Sequence, residues 1–390
     1  MMKRYVLSLL SLLCSWLATA QEVRLTVSNS TDVQRQEVVA FSETDIRSRL
    51  GIGSTEPIFV KNALGQMADY QLTHDGLLLV DVSVRPKGKA VLTASRGCTQ
   101  SPRAQVYGAE YDYRKNDIAW ENDRIGFRVY GPQFQSDGDI GNGIDVWVKN
   151  SPDLVLPKFY EDNCFKKISF HQDHGYGMDV YGVGPSLGCG APALMQGDSL
   201  LLARCYESYK ILDNGPLRFT VQLDFAPVSI GSSRQVTEHR IIRMDKGSHF
   251  CQMTVWYDGL RQPLDMATGV VLHGVGETET SNRWLAYADP TQTPDKNQSE
   301  IYVATLFPSA PIEIRTLRKP NAKFSISGHL LGIKRNLKDG ERVIYYFGAA
   351  WSKADIRNFS QWKRCISDEL AAIEKPLIGC IVSERPEIMQ

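Results

Sequence analysis

The runs Leu217-Arg-Phe-Thr-Val-Gln-Leu-Asp-Phe225, Arg234-Gln-Val-Thr-Glu-His-Arg-Ile-Ile-Arg-Met244 and Phe250-Cys-Gln-Met-Thr-Val-Trp-Tyr257 decide the fold. Apolar and polar residues alternate through much of each run. Successive strand side chains point to opposite faces, so the pattern is that of strands with one buried and one outer side. Asp213-Asn-Gly-Pro216 and Asp245-Lys-Gly247 lie beside these runs, where tight reversals need Gly or Asn, as in a meander of hairpins. Strand phase puts Glu238 and Arg240 on one face and His239 on the other. Arg204, Tyr206, Ser208 and Lys210 share a face by the same count. A polar face of this kind is either the solvated side of a sheet or the lining of a carbohydrate cleft.

Working outward, short runs bounded by Gly, Asn, Asp or Pro recur on both sides. They include Val23 to Val27, Glu37 to Phe41, Leu77 to Val84, Arg124 to Tyr130 and Ile144 to Val148, then Gly269 to His273, Ile301 to Phe307, Phe324 to Ile333 and Arg342 to Ala350. One helix is expected near the C-terminus, capped by Ser352, with Ile356, Phe359, Trp362, Ile366 and Leu370 near helical spacing. No repeat of 20 to 50 residues marks a solenoid or propeller. The expectation is an all-β chain built as one large antiparallel architecture over residues 101–390. Residues 21–100 form a separate small sandwich or an N-terminal layer.

The ends and composition set the class. Met1 to Arg4 supply a positive region, Tyr5 to Leu13 an apolar core and Leu17-Ala-Thr-Ala20 a small-residue cleavage site. Residues 1–20 therefore read as a secretory signal peptide, and the rest as an exported chain without a membrane span. With 44 basic and 44 acidic residues the formal charge is zero, which argues against a nucleic-acid groove. Beyond Cys14 seven cysteines remain, an odd number without CxxC spacing.

The stretch His171-Gln-Asp-His-Gly-Tyr-Gly-Met-Asp-Val-Tyr-Gly-Val-Gly-Pro-Ser-Leu-Gly-Cys-Gly190 must loop, because so many glycines disfavour helix and strand. It carries two of the seven histidines, His171 and His174, with Asp173 between them. Imidazoles and carboxylates on such a loop suit proton transfer, sugar contacts or metal ligation. The plainer alternative is a pair of loop histidines bonding main-chain carbonyls.

Trp120-Glu-Asn-Asp-Arg-Ile-Gly-Phe-Arg-Val-Tyr-Gly-Pro132, Gly143-Ile-Asp-Val-Trp-Val-Lys149, the 171–190 loop, Asp213-Asn-Gly-Pro-Leu-Arg218 and the helix after Trp351 occur in the order seen in the unknown-function domain family 4861. The chain resembles that family over roughly residues 105 to 375. The resemblance implies an exported protein of polysaccharide utilisation with a galactose-mutarotase-like β-supersandwich. It also implies carbohydrate chemistry of the lyase or dehydratase kind on uronic-acid oligosaccharides. Runner-up readings are a sugar epimerase, mutarotase or glycoside hydrolase of the same fold, and a non-catalytic module with Trp120, Trp147 and Trp256 as stacking platforms.

Elimination beside a carboxylate needs a cation to neutralise it, a base for the adjacent carbon-bound proton and an acid for the leaving oxygen. On this reading His174 is the base, with His171 as alternative, and Tyr181 is the acid. Arg240 or Arg204 clamps the carboxylate, Glu238 orients a histidine or hydroxyl, and His273, at a strand end, is a further substrate contact. Arg124 and Asp173 complete the candidates, although Arg124 equally fits a turn ion pair. No cofactor is required. A divalent metal on His171, Asp173 and His174 stays open, because their spacing lacks the helical HExxH context. The expected partner is an acidic oligosaccharide; the oligomeric state is not set by the sequence.

Overall fold

A computed structural model describes residues 21–97, 102–231, 233–290, 299–309 and 312–382. The signal peptide expected over residues 1–20 lies outside these, as does Cys98. The chain is mostly β, arranged as antiparallel sheets. Glu22–Ser28, Lys89–Arg96 and Ile58–Asn62 form one sheet, which the far end of the chain, Ile378–Val382, completes along the Glu22–Ser28 edge. Arg35–Ser42, Leu77–Val84 and Tyr70–Leu72 form a second. Leu25, Val27, Phe41, Val60, Leu78 and Val80 fill the space between the two.

The larger unit holds a nine-stranded sheet, in which Tyr206–Asn214, Arg218–Phe225, Ser233–Asp245, Phe250–Asp258, Val343–Trp351, Ile301–Leu306, Trp284–Asp289 and Thr278–Thr280 follow one another and Val228–Ile230 pairs with Ser233–Asp245 off that path. Two five-stranded sheets pack on its inner side. One runs Gly177–Asp179, Asp145–Lys149, Gly126–Val129, Asp117–Glu121, Tyr107–Tyr111; the other runs Ser199–Leu202, Ala193–Gln196, Leu264–Leu272, Gly328–Leu337, Glu313–Leu317. Their shared core includes Trp120, Phe127, Phe219, Ile242, Met253, Val270 and Phe347, all fully buried. Each such side chain contributes about 1.5–3 kcal/mol on leaving water.

Strand phase is as read. Along Ser233–Asp245, Val236, Glu238, Arg240, Ile242 and Met244 are buried, whereas Thr237, His239, Ile241 and Arg243 are half-buried on the other side. Glu238 and Arg240 therefore face the core rather than solvent. The Arg204-to-Lys210 face is not continuous: a bulge between Tyr206 and Ser208 breaks the alternation, so Tyr206 is buried while Ser208 and Lys210 are exposed.

Helices depart from expectation. The C-terminal one spans Phe359–Glu374 and is capped by Asn358, whose side chain accepts from Gln361 N at 3.0 Å. Ser352 does not cap, because its hydroxyl accepts from Glu300 N at 2.7 Å. Phe359, Trp362, Ile366 and Leu370 lie against Phe250, Ala286 and Ala304 of the nine-stranded sheet, with Trp362 stacked on Phe250 at 5.1 Å. Leu156–Lys166 is a helix that no local pattern announces. It is held by Glu121, which accepts from Leu156 N at 2.7 Å, and by Tyr160 stacked on Trp147 at 5.2 Å.

Candidate functional site

The 180–190 loop joins the two five-stranded sheets. Ile144 bridges Gly188 and Cys189 bridges Val270. Gly188 has φ +56°, and a Cβ there would stand 2.2 Å from the Ile144 carbonyl oxygen, so only glycine lets the loop seat this closely. Asn142 N donates to Gly184 O at 3.2 Å and Asn142 Nδ2 to Ala203 O at 2.7 Å, which ties the loop to the segment carrying Arg204.

That segment borders a narrow slot lined by Tyr130, Asn142, Arg204, Cys205, Tyr206, Phe225 and Arg240, with about 10 Å3 of free space, room for one water-sized group. Arg240 Nε donates to Glu238 Oε1 at 2.5 Å, and its guanidinium lies 4.2 Å from the centre of the Phe225 ring. Its buried Nη2 has no hydrogen-bond partner among the described residues. Arg204 is exposed at the same slot. An unpaired buried guanidinium nitrogen facing a small space is a carboxylate-recognition geometry, because its desolvation is offset only when an anion or water arrives. Arg204 and Arg240 thus line one slot, and Glu238 holds Arg240 rather than a histidine.

On the loop's other contact, His273 Nδ1 lies 2.6 Å from Asp289 Oδ2, and its Nε2 is buried without a partner. A Cβ on Gly182 would stand 3.2 Å from that Nε2. The Tyr181 ring meets the His273 ring edge-on at 5.6 Å, and the Tyr181 hydroxyl donates to Gly188 O at 3.3 Å. Burial holds the Tyr181 phenol well above its ordinary range, so it keeps its proton. His329, given no role by sequence, sits close by: its Nε2 accepts from Leu187 N at 3.4 Å and its Nδ1 is unpartnered. Burial first, and then the neighbouring His273, lower its pKa to about 4. A carboxylate-anchored imidazole with a free Nε2 is the arrangement of a general base.

The loop histidines lie elsewhere. His171 and His174 are exposed; His171 Nδ1 is 2.6 Å from the Asp179 carbonyl oxygen and His174 Nε2 is 3.0 Å from that of Ser169. Neither ring lines the Arg240 slot, nor do His273 and Tyr181, which meet at the loop's other contact. Asp173 Oδ1 accepts from Gly175 N and Gly177 N at 2.8 and 3.1 Å, which shapes the turn. Arg124 pairs with Asp355 at 2.8 Å and Asp123 at 3.4 Å, the turn ion pair of the plainer reading. Among the described residues no three His, Cys, Asp or Glu side chains converge as metal ligands. Cys164, Cys189, Cys205, Cys251, Cys365 and Cys380 are free thiols.

Sequence reasoning passed over Arg128. Antiparallel register sets Asp145 opposite it, and Asp179 opposite Trp147 one strand further on. Its guanidinium reaches Asp145 at 2.5 Å, Asp179 at 2.8 Å and Asp117 at 3.6 Å, over the Tyr130 and Trp147 rings. Burial, then repulsion by Asp179, hold the Asp145 carboxyl far above its usual range despite Arg128.

A sandwich of antiparallel sheets with a polar seam at a Gly-rich loop defines the class: an all-β protein of the supersandwich kind. Residues 27–378 match the family described as Domain of unknown function (DUF4861), and the chain belongs to it. It is 26% identical over 376 residues to the protein of Formosa agariphila called Uncharacterized protein P7, covering 90% of this chain and 92% of that one. Among solved structures it is similar to a protein in the Glycosyl Hydrolase Family 38 from Enterococcus faecalis, with a TM-score of 0.50 and 9% identity, covering 94% of this chain and 48% of the other. An alpha-mannosidase from Enterococcus faecalis V583 aligns with a TM-score of 0.48 and 10% identity, over 94% of this chain and 46% of the other. The chain thus spans about half the length of these two structures. No helix of the described residues is long and apolar enough to cross a membrane.

Proposed function

We propose that this is an exported carbohydrate-active enzyme that acts on uronic-acid oligosaccharides by proton abstraction and elimination. The observation that carries the reading is the buried, unpartnered Nη2 of Arg240 at a slot whose exposed side holds Arg204. In this reading one oxygen of the substrate carboxylate takes the water-sized slot at Arg240 and the other meets Arg204 on its exposed side, which acidifies the adjacent carbon-bound proton. His273 Nε2, oriented through Nδ1 by Asp289, takes that proton as the Gly182–Gly188 loop yields. The released electron pair forms the double bond as the carbon–oxygen bond breaks, and the Tyr181 phenol gives its proton to the leaving oxygen. His171 and His174 then serve the loop's shape.

Hydrolysis, the class in the description of one solved neighbour, is separated by mass. Elimination from an uncleaved uronide produces an unsaturated uronyl group absorbing in the near ultraviolet. Dehydration lowers product mass by one water, hydrolysis raises it by one, and epimerisation conserves it. Incubation with pectic, ulvan and other acidic oligosaccharides, followed by mass spectrometry, is the test. A gain of one water overturns elimination. Arg204→Ala, at an exposed position that leaves folding intact, is expected to raise KM at least ten-fold; an unchanged KM removes the clamp.

A further inference from the structure

A second polar cleft lies where the Arg35–Ser42 strand, the outer face of the nine-stranded sheet and the C-terminal helix meet. It encloses about 290 Å3, the low end for a small-molecule pocket. Its charges are paired unevenly. Arg218 is held by both oxygens of Asp245 at 2.6 and 2.7 Å, and Lys246 by Asp81. Among the described residues Arg243 has only a 3.5 Å contact to Asp75, and its buried Nε has no partner. Glu369 has a single 3.5 Å contact to Ser248 Oγ and no ion pair among the described residues. A cation and a carboxyl that line one cavity but do not pair leave a gap with a donor on one side and a carboxyl on the other. Gln252, hydrogen-bonded to Tyr346 at 2.7 Å, supplies a polar surface that sugar hydroxyls take. Glu37, Gln36 and Glu369 also line a wider groove of about 920 Å3, so a glycan can extend outward.

We propose that this junction cleft binds one uronic sugar unit, its carboxylate on Arg243 and its hydroxyls on Glu369, Ser248 and Gln252, as a site separate from the Arg240 slot. The choice of a uronic ligand rests on the function proposed above; the existence of the site rests on the cleft. Burial, then Asp245 and Glu37, raise the Glu369 carboxyl to about 7, so near neutrality it is a donor that does not repel an anion. The charged groups around it are Arg35 and Glu37 from the first strand, and Arg218, Arg243, Asp245 and Lys246 from the large sheet.

The test is calorimetry of the full chain with D-glucuronate and with glucose, in an Arg204→Ala background that weakens the slot. Glucuronate binding without comparable glucose binding is expected. Arg243→Gln, and Ala372→Phe, which fills the cleft without removing a charge, should each weaken it at least ten-fold. Binding should fall as pH rises above 7 and lose that dependence in Glu369→Gln. Affinity unchanged in both cleft variants, or equal affinity for glucose, overturns the proposal. Absent glucuronate binding with intact turnover of acidic oligosaccharides defeats the cleft alone. Cleft binding with no turnover of any such oligosaccharide supports the cleft and defeats the enzymatic reading instead.

Discussion

The interior cluster around Arg128 and the cleft around Arg243 hold similar groups in opposite states. Arg128 is 4% exposed at its side chain and reaches three carboxylates, with aromatic rings packed about it. Both keep buried nitrogens without a hydrogen-bond partner among the described residues, Arg128 at Nε and Nη1 and Arg243 at Nε, but Arg243 faces open space, across from a carboxyl it does not touch. A buried charge surrounded by counter-charges is architecture: removing one partner costs more than the pair contributes. A charge left unpaired beside a cavity has its counterpart in a ligand. Arg240 combines the two, with Glu238 on Nε and no partner on Nη2.

Breaking the architectural side has the largest effect. Arg128→Met strands Asp117, Asp145 and Asp179, and urea unfolding at pH 7 should register a loss of about 3–5 kcal/mol. The loss should shrink in acid, where the stranded carboxyls protonate. A cost below about 1 kcal/mol would place Arg128 with the unpaired, ligand-facing guanidiniums. Next in size is the separation of the histidines. His273→Ala is expected to lower kcat by about 10²–10⁴-fold, the range for a lost general base. His174→Ala, which removes only a surface bond to the Ser169 carbonyl, should change kcat less than two-fold. A reversed order would return the base to the 171–174 loop, and thermal unfolding of both variants separates catalysis from folding.

These predictions track what was legible. Alternation in residues 234–244 gave the strand and the shared face of Glu238 and Arg240, because period two is a local property. Whether that face was core or solvent depended on other sheets, whose strands lie between residues 107 and 202 and between 264 and 337. The Leu156–Lys166 helix was missed because its first N–H is satisfied by Glu121, 35 residues upstream, with no capping residue beside it. Ser352 misled for the converse reason: a good capping side chain was already bonded to a neighbouring strand. Histidine spacing located the Gly-rich loop but could not tell a ring bonded to a carbonyl from one facing a cavity. Asp289 and His329 meet His273 only through sheet register and packing, and Glu369 meets Arg243 only where the C-terminal helix crosses the large sheet.

The smallest predicted effect is a pH dependence with opposite signs at the two sites. Glu369 has a folded pKa of about 7 against an ordinary value of 4.5, so the folded chain holds that proton more tightly. Its contribution to stability is full below pH 4.5 and is lost as pH rises through 7. His329 has a folded pKa of about 4 against 6.5, so its contribution is full above pH 6.5 and is lost as pH falls toward 4. Because Glu369 is partly open to its cleft, its share is about 1–2 kcal/mol after discounting for solvent screening. Glu369→Gln should therefore abolish a loss of stability that builds between pH 4.5 and 7 in urea unfolding. His329→Gln should abolish the opposite trend, a gain of stability as pH rises from 4 to 6.5. If Glu369→Gln leaves the slope between pH 4.5 and 7 intact, Glu369 is already ionised and neutralised, and the contrast between a closed interior cluster and an open junction disappears.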